Sequence, residues 1–382
     1  MPSGSRVPAV EVVVEQLRRR VPGGIGTYCD GLVAGLACLP ENERPDVGLF
    51  ASRPPSPGRD PLSRLGLPLR TSSLPGPVLT RLWDKGVPAG YRSARPGVVH
   101  ATSLAAPSLG KGGLVVTVHD LAWRRLPDAF PPRGREWHDR SLARLAARAA
   151  RFVVPSSLTA SDLCDAGLGV GPGQVEVIEE GADHLEPPDH DSTRLLLDRL
   201  GVPEDGGYLL SASTLEPRKN LRRLMRAYQL ARRELEQDWP LIVVGPAGWG
   251  EAISGGHDDS SHVLAAGHVG GAVLSALYAG ARCVAYVPLF EGFGLPAVEA
   301  MSSGAPVVVT AGLPSAAGAG FAVDPYDPES IAAGLLAASN EGPERRRLLA
   351  DGPRRAASLR WEDAAAAHVR VWAEVAAAPG GA

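Results

Sequence analysis

Short apolar segments alternate with helical patterns along almost the whole sequence, and this alternation restricts the chain to an α/β architecture with parallel sheets. Residues 181–192 (GADHLEPPDHDS) are polar, carry two prolines and are typical of a linker, so they divide the segments into two series. The first series is AVEVVV at 9–14, DVGLF at 46–50, GVVHA at 97–101, LVVTVHD at 114–120, RFVVPS at 151–156 and VEVI at 175–178. The second is YLLSAS at 208–213, LIVVGP at 241–246, HVLAAGHV at 262–269, CVAYVP at 283–288 and APVVVT at 305–310. The sequence therefore predicts two successive α/β halves.

The length of 382 residues suits two domains of about 150 to 200 residues each. Hydrophobic residues make up 44% of the chain, charged residues 21%, and the formal net charge is -3, values that indicate a globular protein with no general preference for nucleic acid. The sequence contains no run of 18 apolar residues and no signal-peptide pattern, so we expect a cytoplasmic protein. Residues 52–78, rich in Pro, Ser and Gly, predict a long surface loop.

Positive charge is concentrated in residues 81–151, which hold 13 Arg or Lys and five Asp or Glu. Such a segment could contact an anionic membrane surface peripherally, or an acidic acceptor. A solvated, arginine-rich helix face is the alternative, and composition alone favours it.

Two glutamates eight positions apart mark the segment EGFGLPAVEAMSSG at 291–304. It follows a predicted strand, and its glycines predict a loop that carries Glu291 before a helix that carries Glu299. Ligands of α/β proteins bind beyond the carboxyl ends of strands, so the pair suggests a sugar site. Solvated glutamates on an ordinary strand, loop and helix fit the spacing equally well.

The segment TLEPRKN at 214–220 places two cations before a predicted helix that begins near Asn220, which we expect to cap it. Arg218 and Lys219 would lie at the positive end of the helix dipole and at the ligand-binding edge of the second sheet. A diphosphate suits such a point, whereas two solvated cations are the structural alternative.

Three glycines, Gly23, Gly24 and Gly26, lie between the first strand pattern and an amphipathic helix. They allow a phosphate or a sugar to approach backbone amides, although a tight turn is the favoured explanation. Cys29 stands where a dinucleotide fingerprint starting at Gly24 requires glycine, so that motif is absent.

His119 ends the strand pattern LVVTVHD, where it could hydrogen-bond a substrate or serve as a satisfied structural residue, and His100 is a weaker case of the same kind. The cysteines are widely separated and predict reduced structural thiols: Cys29, Cys38, Cys164 and Cys283. No metal-ligand spacing connects His138, His184, His190, His257, His262 and His268, and we expect no metal.

Taken together in this order, the segments resemble the family 4 glycosyltransferases, retaining enzymes of the GT-B fold, and in particular their bacterial mannosyltransferase-like members. The similarity runs nearly end to end and is carried by GGIGTY at 23, HATSLAAP at 100, VTVHDLAW at 116, VVPSSLTASDL at 153, STLEPRKNL at 213, VVGPAGWG at 243, GHVGGAVLSALYAGAR at 267, PLFEGFGLPAVEAMSSGAPVV at 288 and RWEDAAAAHVRVWAEV at 360.

The resemblance implies two Rossmann-like α/β/α domains that face each other across a cleft. Residues 1–188 would form the acceptor-side domain, completed by a C-terminal helix at 361–382 that crosses back to it. Residues 189–360 would form the domain that binds the nucleotide sugar.

The resemblance also implies roles for individual residues. Arg218 and Lys219 would neutralise the diphosphate as it leaves, and Glu299 would hold the ribose of the nucleotide. Glu291 would hold the hydroxyls of the transferred sugar, and His119 would contact that sugar. The remaining donor or phosphate positions implied by the family are Gly23, Gly24, Gly245, Phe293, Gly294 and Leu295.

Two departures from the family pattern stand out. Glu179 and Glu180 occupy positions where relatives usually have proline and asparagine, and Ser315 and Ala316 follow a proline where many relatives have glutamate. The second change puts the donor preference, and turnover itself, in question.

The leading hypothesis is a metal-independent, retaining transferase without a cofactor. It would move a hexose, with mannose favoured, from an NDP-sugar such as GDP-mannose to a carbohydrate or lipid-linked acceptor. A non-catalytic GT-B binding or partner subunit is the main alternative. An epimerase or phosphorylase is a third possibility, although a cofactor phosphorylase would need a further lysine and the chain has only Lys85, Lys111 and Lys219.

Overall fold

The computed structural model describes residues 9–56, 58, 60–88, 90–91, 97–107, 109, 113–203, 206–246 and 262–378. The chain forms two compact units, Met1–Gly181 with Arg360–Ala382, and Ala182–Leu359. Each unit contains one parallel sheet with helices packed against it, which is the architecture that the alternating sequence pattern predicts.

The strands of the first unit are β1 (Ala9–Val13), β2 (Asp46–Ala51), β3 (Leu69–Thr71), β4 (Val98–Ala101), β5 (Leu114–Thr117), β6 (Arg151–Val154) and β7 (Val175–Val177). They form a parallel sheet in the order β3-β2-β1-β4-β5-β6-β7. Successive residues of β1 face opposite sides, with Val12 in one hydrophobic cluster and Val13 in another. Burial on both faces explains why the strands read as continuous apolar runs.

The helices of the first unit are α1 (Gly23–Cys38), α2 (Gly76–Asp84), α3 (Ala122–Arg125), α4 (Pro132–Ala146), α5 (Ser157–Cys164) and α12 (Trp361–Ala377). Those of the second unit are α6 (His190–Arg199), α7 (Leu221–Ala231), α8 (Gly271–Gly280), α9 (Leu295–Ser302), α10 (Pro328–Ser339) and α11 (Pro343–Ala357). Short 3-10 helices include Glu15–Arg18, Pro61–Leu65 and Pro217–Lys219. No helix within the described ranges is long and apolar enough to cross a membrane.

The strands of the second unit are β8 (Leu209–Ala212), β9 (Leu241–Val244), β10 (Val263–Gly267), β11 (Cys283–Tyr286), β12 (Val307–Thr310) and β13 (Phe321–Val323). They are all parallel, in the order β10-β9-β8-β11-β12-β13. In each sheet the order of connection reverses once, between β1 and β4 in the first and between β8 and β11 in the second. Ligands of α/β folds bind at the carboxyl ends of strands beside such a reversal.

Two sequence expectations needed correction in this part of the fold. The edge strands β3 and β13 were not predicted, whereas β7, which is equally short, was recognised from VEVI. The single long loop predicted for residues 52–78 is wrong, since its described part contains the 3-10 helix Pro61–Leu65, β3 and the start of α2. All four cysteines are free thiols, and Cys38 is exposed.

The C-terminal helix α12 belongs to the first unit, where it packs against α1. Glycines on α1 make the close approach possible. A Cβ atom at Gly31 would lie 2.1 Å from Cε2 of Trp361, and one at Gly35 would lie 2.1 Å from the Trp361 carbonyl oxygen. Trp361 is itself buried at 3% exposure, so it has little room to move. The family resemblance predicted a closing helix on the first domain, and α12 is that helix.

We expect Gly31→Ala to destabilise the first unit, because the added methyl group overlaps the buried Trp361 ring. Overpacking of this kind costs about 1 to 3 kcal/mol, which thermal or denaturant unfolding measures. Gly134→Ala is the matched control, because its Cβ would meet no atom within 4 Å in α4. Equal stability of the two variants would contradict the packing described here.

Candidate active site

The candidate site of the second unit lies where β8 and β11 end side by side. These strands are hydrogen-bonded neighbours, with Leu210 opposite Val284. The loops that follow them are joined directly, since the amide of Leu289 donates to the carbonyl oxygen of Arg218 at 2.8 Å. Two segments that are more than 70 residues apart in sequence, residues 213–220 and 287–294, therefore share one edge of the sheet.

Three of the predicted site residues meet at this edge. Arg218 Nη1 donates to Glu291 Oε1 at 2.5 Å, and Lys219 Nζ donates to the same oxygen. Lys219 Nζ also donates to the hydroxyl of Tyr286 at 2.9 Å and lies over the Tyr286 ring. The side chains of all three charged residues are at most 18% exposed, so little water screens the interaction.

Burial and neighbouring charges shift the pKa values of this cluster in opposite directions. Burial alone would raise the pKa of Glu291, but the charges of Arg218 and Lys219 lower it below its usual value. Burial lowers the pKa of Lys219, while Glu291 opposes that effect. Glu291 is thus shared by both cations, and an incoming anion could replace it as their partner.

Glu216 completes the cluster and was not predicted as a site residue. Its Oε1 lies 2.6 Å from Arg218 Nε, and its side chain is buried. Burial raises the pKa of Glu216 despite the nearby cations. The residue stands within the TLEPRKN segment, so its position two residues before Arg218 was the available signal.

Asn220 corrects one detail of the sequence interpretation. It precedes α7 in the left-handed conformation, with φ 63°, and its side chain makes no cap hydrogen bond. Instead Nδ2 donates to the carbonyl oxygens of Val287 at 3.0 Å and Pro325 at 2.6 Å. Asn220 therefore fixes the cation-bearing segment to the loops after β11 and β13.

The glycine loop after β11 is held from the side by Ser315. Gly294 has φ 104°, and a Cβ there would lie 2.9 Å from Leu313, so glycine is required. The buried Ser315 hydroxyl donates to the Gly294 carbonyl oxygen at 2.9 Å, and the Ser315 amide donates to that of Phe293. Phe293 and Leu295 are buried on either side. The departure from the family pattern at position 315 thus has a structural role in this loop.

Glu299 lies within α9, as predicted, and is held by two residues that the sequence did not reveal. His184 Nε2 lies 3.0 Å from Oε1, and the Tyr278 hydroxyl donates to Oε2 at 3.0 Å. His184 belongs to the segment that was predicted to be a linker, but its side chain is only 14% exposed. Since each carboxylate oxygen can accept two hydrogen bonds, both remain able to accept another donor.

Backbone packing explains why glycine stands at position 245, without any ligand. It follows β9, and a Cβ there would lie 1.8 Å from the carbonyl oxygen of Ser213, which follows β8. The close approach of these two strand ends requires glycine. The motif VVGPAGWG continues through residues 247–250, and these residues, like His257, lie outside the described residues.

In the first unit, Gly23 and Gly24 begin α1 as predicted. Gly23 has φ 61°, a conformation that favours glycine, and a Cβ on either residue would meet no atom within 4 Å. Both residues are exposed. Open space therefore lies over the N-terminus of a 16-residue helix, which favours negative charge.

His119 lies two residues beyond β5, between two acceptors. Its Nε2 is 2.9 Å from the Thr102 carbonyl oxygen, and its Nδ1 is 3.3 Å from Oε1 of the buried Glu180. Burial would lower the pKa of His119, but Glu180, the Thr102 carbonyl and Asp120 together raise it. Only the imidazolium form has two N–H donors, so this arrangement favours a positively charged His119.

His100, by contrast, is a core residue. It is fully buried, its Nε2 lies 2.8 Å from Thr117 Oγ1, and its ring packs against those of His368 and Trp372. Burial lowers its pKa well below the usual value. The structure therefore assigns His100 to the packing of β4 against α12.

Both units match models of known protein families. Residues 22–185 match the model described as Glycosyltransferase Family 4, and residues 193–355 match the model described as Glycosyl transferases group 1. Two mannosyltransferases are among the relatives. The O-antigen chain mannosyltransferase B of Escherichia coli is 39% identical over 166 residues, which are 41% of this chain and 43% of the relative. The MMP alpha-(1->4)-mannosyltransferase of Mycolicibacterium hassiacum is 29% identical over 410 residues, which cover 92% of this chain and 94% of the relative.

A solved structure shows the same architecture. HepE of Anabaena, in complex with UDP and glucose, superposes with a TM-score of 0.67 at 16% identity, covering 96% of this chain and 100% of that one. Together with the two parallel-sheet units, these matches show a GT-B fold in which each unit is similar to a glycosyltransferase family model. The chain spans less than half the length of the first of its two mannosyltransferase relatives and most of the second.

We expect Glu180→Gln to lower the pKa of His119, because the substitution removes the carboxylate that offsets burial. A histidine whose pKa is raised on folding stabilises the protein at pH below about 6.5, and that contribution disappears as pH rises through the folded-state pKa. The variant should therefore lose stability at acidic pH and match the wild type at alkaline pH. Imidazole NMR titration and thermal unfolding at several pH values measure the two effects.

Glu176→Gln provides the control, because Glu176 is exposed on β7 in the same unit. An unchanged His119 titration in the Glu180 variant would show that Glu180 does not hold the imidazolium.

Proposed function

We propose that the protein is a retaining hexosyltransferase that moves a hexose, mannose in the favoured case, from an NDP-sugar to a carbohydrate or lipid-linked acceptor. The observation that carries this proposal is the convergence of Arg218, Lys219 and Glu291 at the reversal point of the second sheet. A buried pair of cations beside the ends of β8 and β11 suits a diphosphate.

Donor binding would exchange one anion for another. The diphosphate replaces Glu291 as the partner of Arg218 and Lys219, and Glu291 turns to the hydroxyls of the transferred sugar beside the amides of Phe293, Gly294 and Leu295. Glu299 accepts hydrogen bonds from the ribose while His184 and Tyr278 hold its carboxylate. Residues 189–360 would therefore be the nucleotide-sugar domain, and residues 1–188 with the closing helix the acceptor side.

The proposed transfer step is the one that the family resemblance implies. The bond between the anomeric carbon and the donor phosphate oxygen breaks, and the acceptor oxygen bonds to the same face of that carbon. The acceptor proton passes to the leaving phosphate oxygen, so no enzymic nucleophile takes part. Arg218 and Lys219 would stabilise the negative charge that develops on the leaving phosphate, supplying what a metal supplies in other transferases. His119 would contact the transferred sugar, as the family resemblance implies.

The names of relatives favour mannose, and the HepE complex favours a uridine nucleotide as one donor to test. We therefore include GDP-mannose and UDP-glucose among the candidate donors. Residues 81–151 are rich in Arg and Lys. The proposal of a lipid-linked acceptor therefore includes peripheral contact of this segment with an anionic membrane.

We expect Lys219→Ala to reduce donor turnover by about 100-fold, since loss of one group that stabilises transition-state charge has effects of this size. Hydrolysis or transfer assays with a panel of NDP-sugars measure it. Lys85→Ala is the matched control, because Lys85 is an exposed lysine at the end of α2. If no donor is turned over, or if the two lysine variants behave alike, the proposed function is wrong.

Substitutions of Glu291 and Glu299 should change nucleotide affinity in opposite directions. Glu291→Gln removes the carboxylate that competes for Arg218 and Lys219, so we expect tighter binding of free nucleoside diphosphate together with a fall in kcat. Glu299→Gln should chiefly weaken nucleotide binding, by about tenfold for the loss of a charge-assisted hydrogen bond. Calorimetry with GDP and UDP, paired with turnover assays, separates the two. Parallel losses of affinity and turnover in both variants would contradict this division.

A further inference from the structure

A cavity of about 1090 Å³ opens in the first unit beside the carboxyl ends of β1 and β2. Its lining comes from the 3-10 helix after β1, the segment after β2, the start of α2, and Trp137 of α4. Cavities that bind small molecules usually measure about 300 to 1,000 Å³, so this one accommodates more than a single sugar ring.

Four exposed arginines line this cavity and come from three separate parts of the chain. Arg19 and Arg20 follow the 3-10 helix after β1, Arg53 follows β2, and Arg81 lies in α2. Arg18 also lines the cavity but is paired with Asp60, so the four exposed arginines stand against two lining carboxylates, Glu15 and Asp84, an excess of two positive charges. A concave surface with such an excess concentrates anions.

The acidic groups around the cavity have partners of their own. Arg18 holds both oxygens of Asp60, at 2.6 and 2.5 Å, and this pair is largely buried. Asp84 accepts from the indole N–H of Trp137 at 2.7 Å. Arg18 is therefore a structural arginine, whereas the other four arginines line the cavity as exposed residues.

The floor of the cavity is built around Glu15. Its Oε2 accepts from the buried amide of Ser52 at 2.6 Å, and it is only 7% exposed. Gly76 begins α2 against this carboxylate, since a Cβ there would lie 2.5 Å from Glu15 Oε1. Burial raises the pKa of Glu15. The floor thus offers a hydrogen-bonding carboxyl group, and the positive charge lies above it.

The wall of the cavity is rigid and partly apolar. The hydrogen bond to Asp84 fixes the Trp137 ring, and four prolines contribute the surface beside it: Pro54, Pro55, Pro75 and Pro77. An apolar ring face, a buried carboxyl group and several guanidinium groups together suit a saccharide that carries an anion.

We propose that this cavity binds the phosphate group of a phosphate-bearing saccharide, which serves as the acceptor if the transferase function proposed above holds. Guanidinium groups bind phosphate oxygens in pairs, and a phosphate monoester carries close to two negative charges, which matches the excess better than a carboxylate. The diphosphate of the donor is assigned to Arg218 and Lys219 in the second unit. The cavity arginines therefore serve a different anion.

The test compares mannose, a hexuronate and mannose 6-phosphate by calorimetry on the full chain. We expect mannose 6-phosphate to bind at least tenfold more tightly than the other two, and high salt to weaken it. The double replacement Arg53→Gln with Arg81→Gln should remove that preference, and so should Arg19→Gln with Arg20→Gln. Arg370→Gln, an exposed arginine on α12, is the control and should retain the preference.

A second arm of the experiment tests whether the phosphate belongs to a lipid or to a soluble sugar. In it, phosphatidylcholine vesicles with and without phosphatidic acid replace the soluble sugars. Binding of phosphatidic acid vesicles that depends on Arg53 and Arg81 supports a lipid-borne phosphate. Binding of mannose 6-phosphate alone supports a soluble one. Equal affinity for the hexuronate, or unchanged binding of both probes by the double variants, would overturn the phosphate site.

Nucleotide binding and transfer, measured on the same variants, keep the two proposals apart. Transfer to neutral saccharides at rates that the double variants leave unchanged would overturn the acceptor assignment and preserve the transferase. Retained binding of mannose 6-phosphate in a chain that binds and turns over no nucleotide sugar would overturn the transferase and preserve the phosphate site.

Discussion

The pairing of β8 with β11 is the constraint on which the proposed donor site depends. The two strands are separated by more than 70 residues, and the parallel register that joins them brings Arg218 and Lys219 to Glu291. A shift in that register would leave two buried cations and a buried carboxylate without each other, and isolated buried charges are strongly unfavourable. The same contact that stabilises the edge of the sheet also brings together the charges that we propose bind the donor diphosphate.

Three residues at this edge have either a positive φ angle or a backbone contact too close for a Cβ atom. Gly294 adopts φ 104°, Asn220 adopts φ 63°, and Gly245 lies too close to Ser213 for any Cβ atom. Each is stabilised by buried contacts elsewhere, as when Ser315 bonds to the Gly294 carbonyl oxygen. Rigid loops of this kind place functional side chains accurately, because the strain at the edge is offset by the packed sheet beneath it.

The candidate residues are held by partners that are distant in sequence. Glu180 and the Thr102 carbonyl fix both ring nitrogens of His119, whereas His184 and Tyr278 fix both oxygens of Glu299. These contacts set the ionisation and orientation of groups proposed to meet the sugar and the ribose. The cavity arginines of the first unit show the opposite arrangement, because their guanidinium groups remain exposed around Glu15 and Trp137.

The sequence by itself determined the two α/β halves, most of the strands and the segments that carry Arg218, Lys219, Glu291 and Glu299, because apolar periodicity and strand-end motifs are local properties. Only the tertiary structure decided which strand ends lie side by side, that Asn220 joins loops instead of capping α7, and that His100 belongs to the core. It also revealed Glu216, His184 and the group of arginines around one cavity. These features depend on contacts between residues far apart in the chain, and no local pattern of residue types encodes such distances.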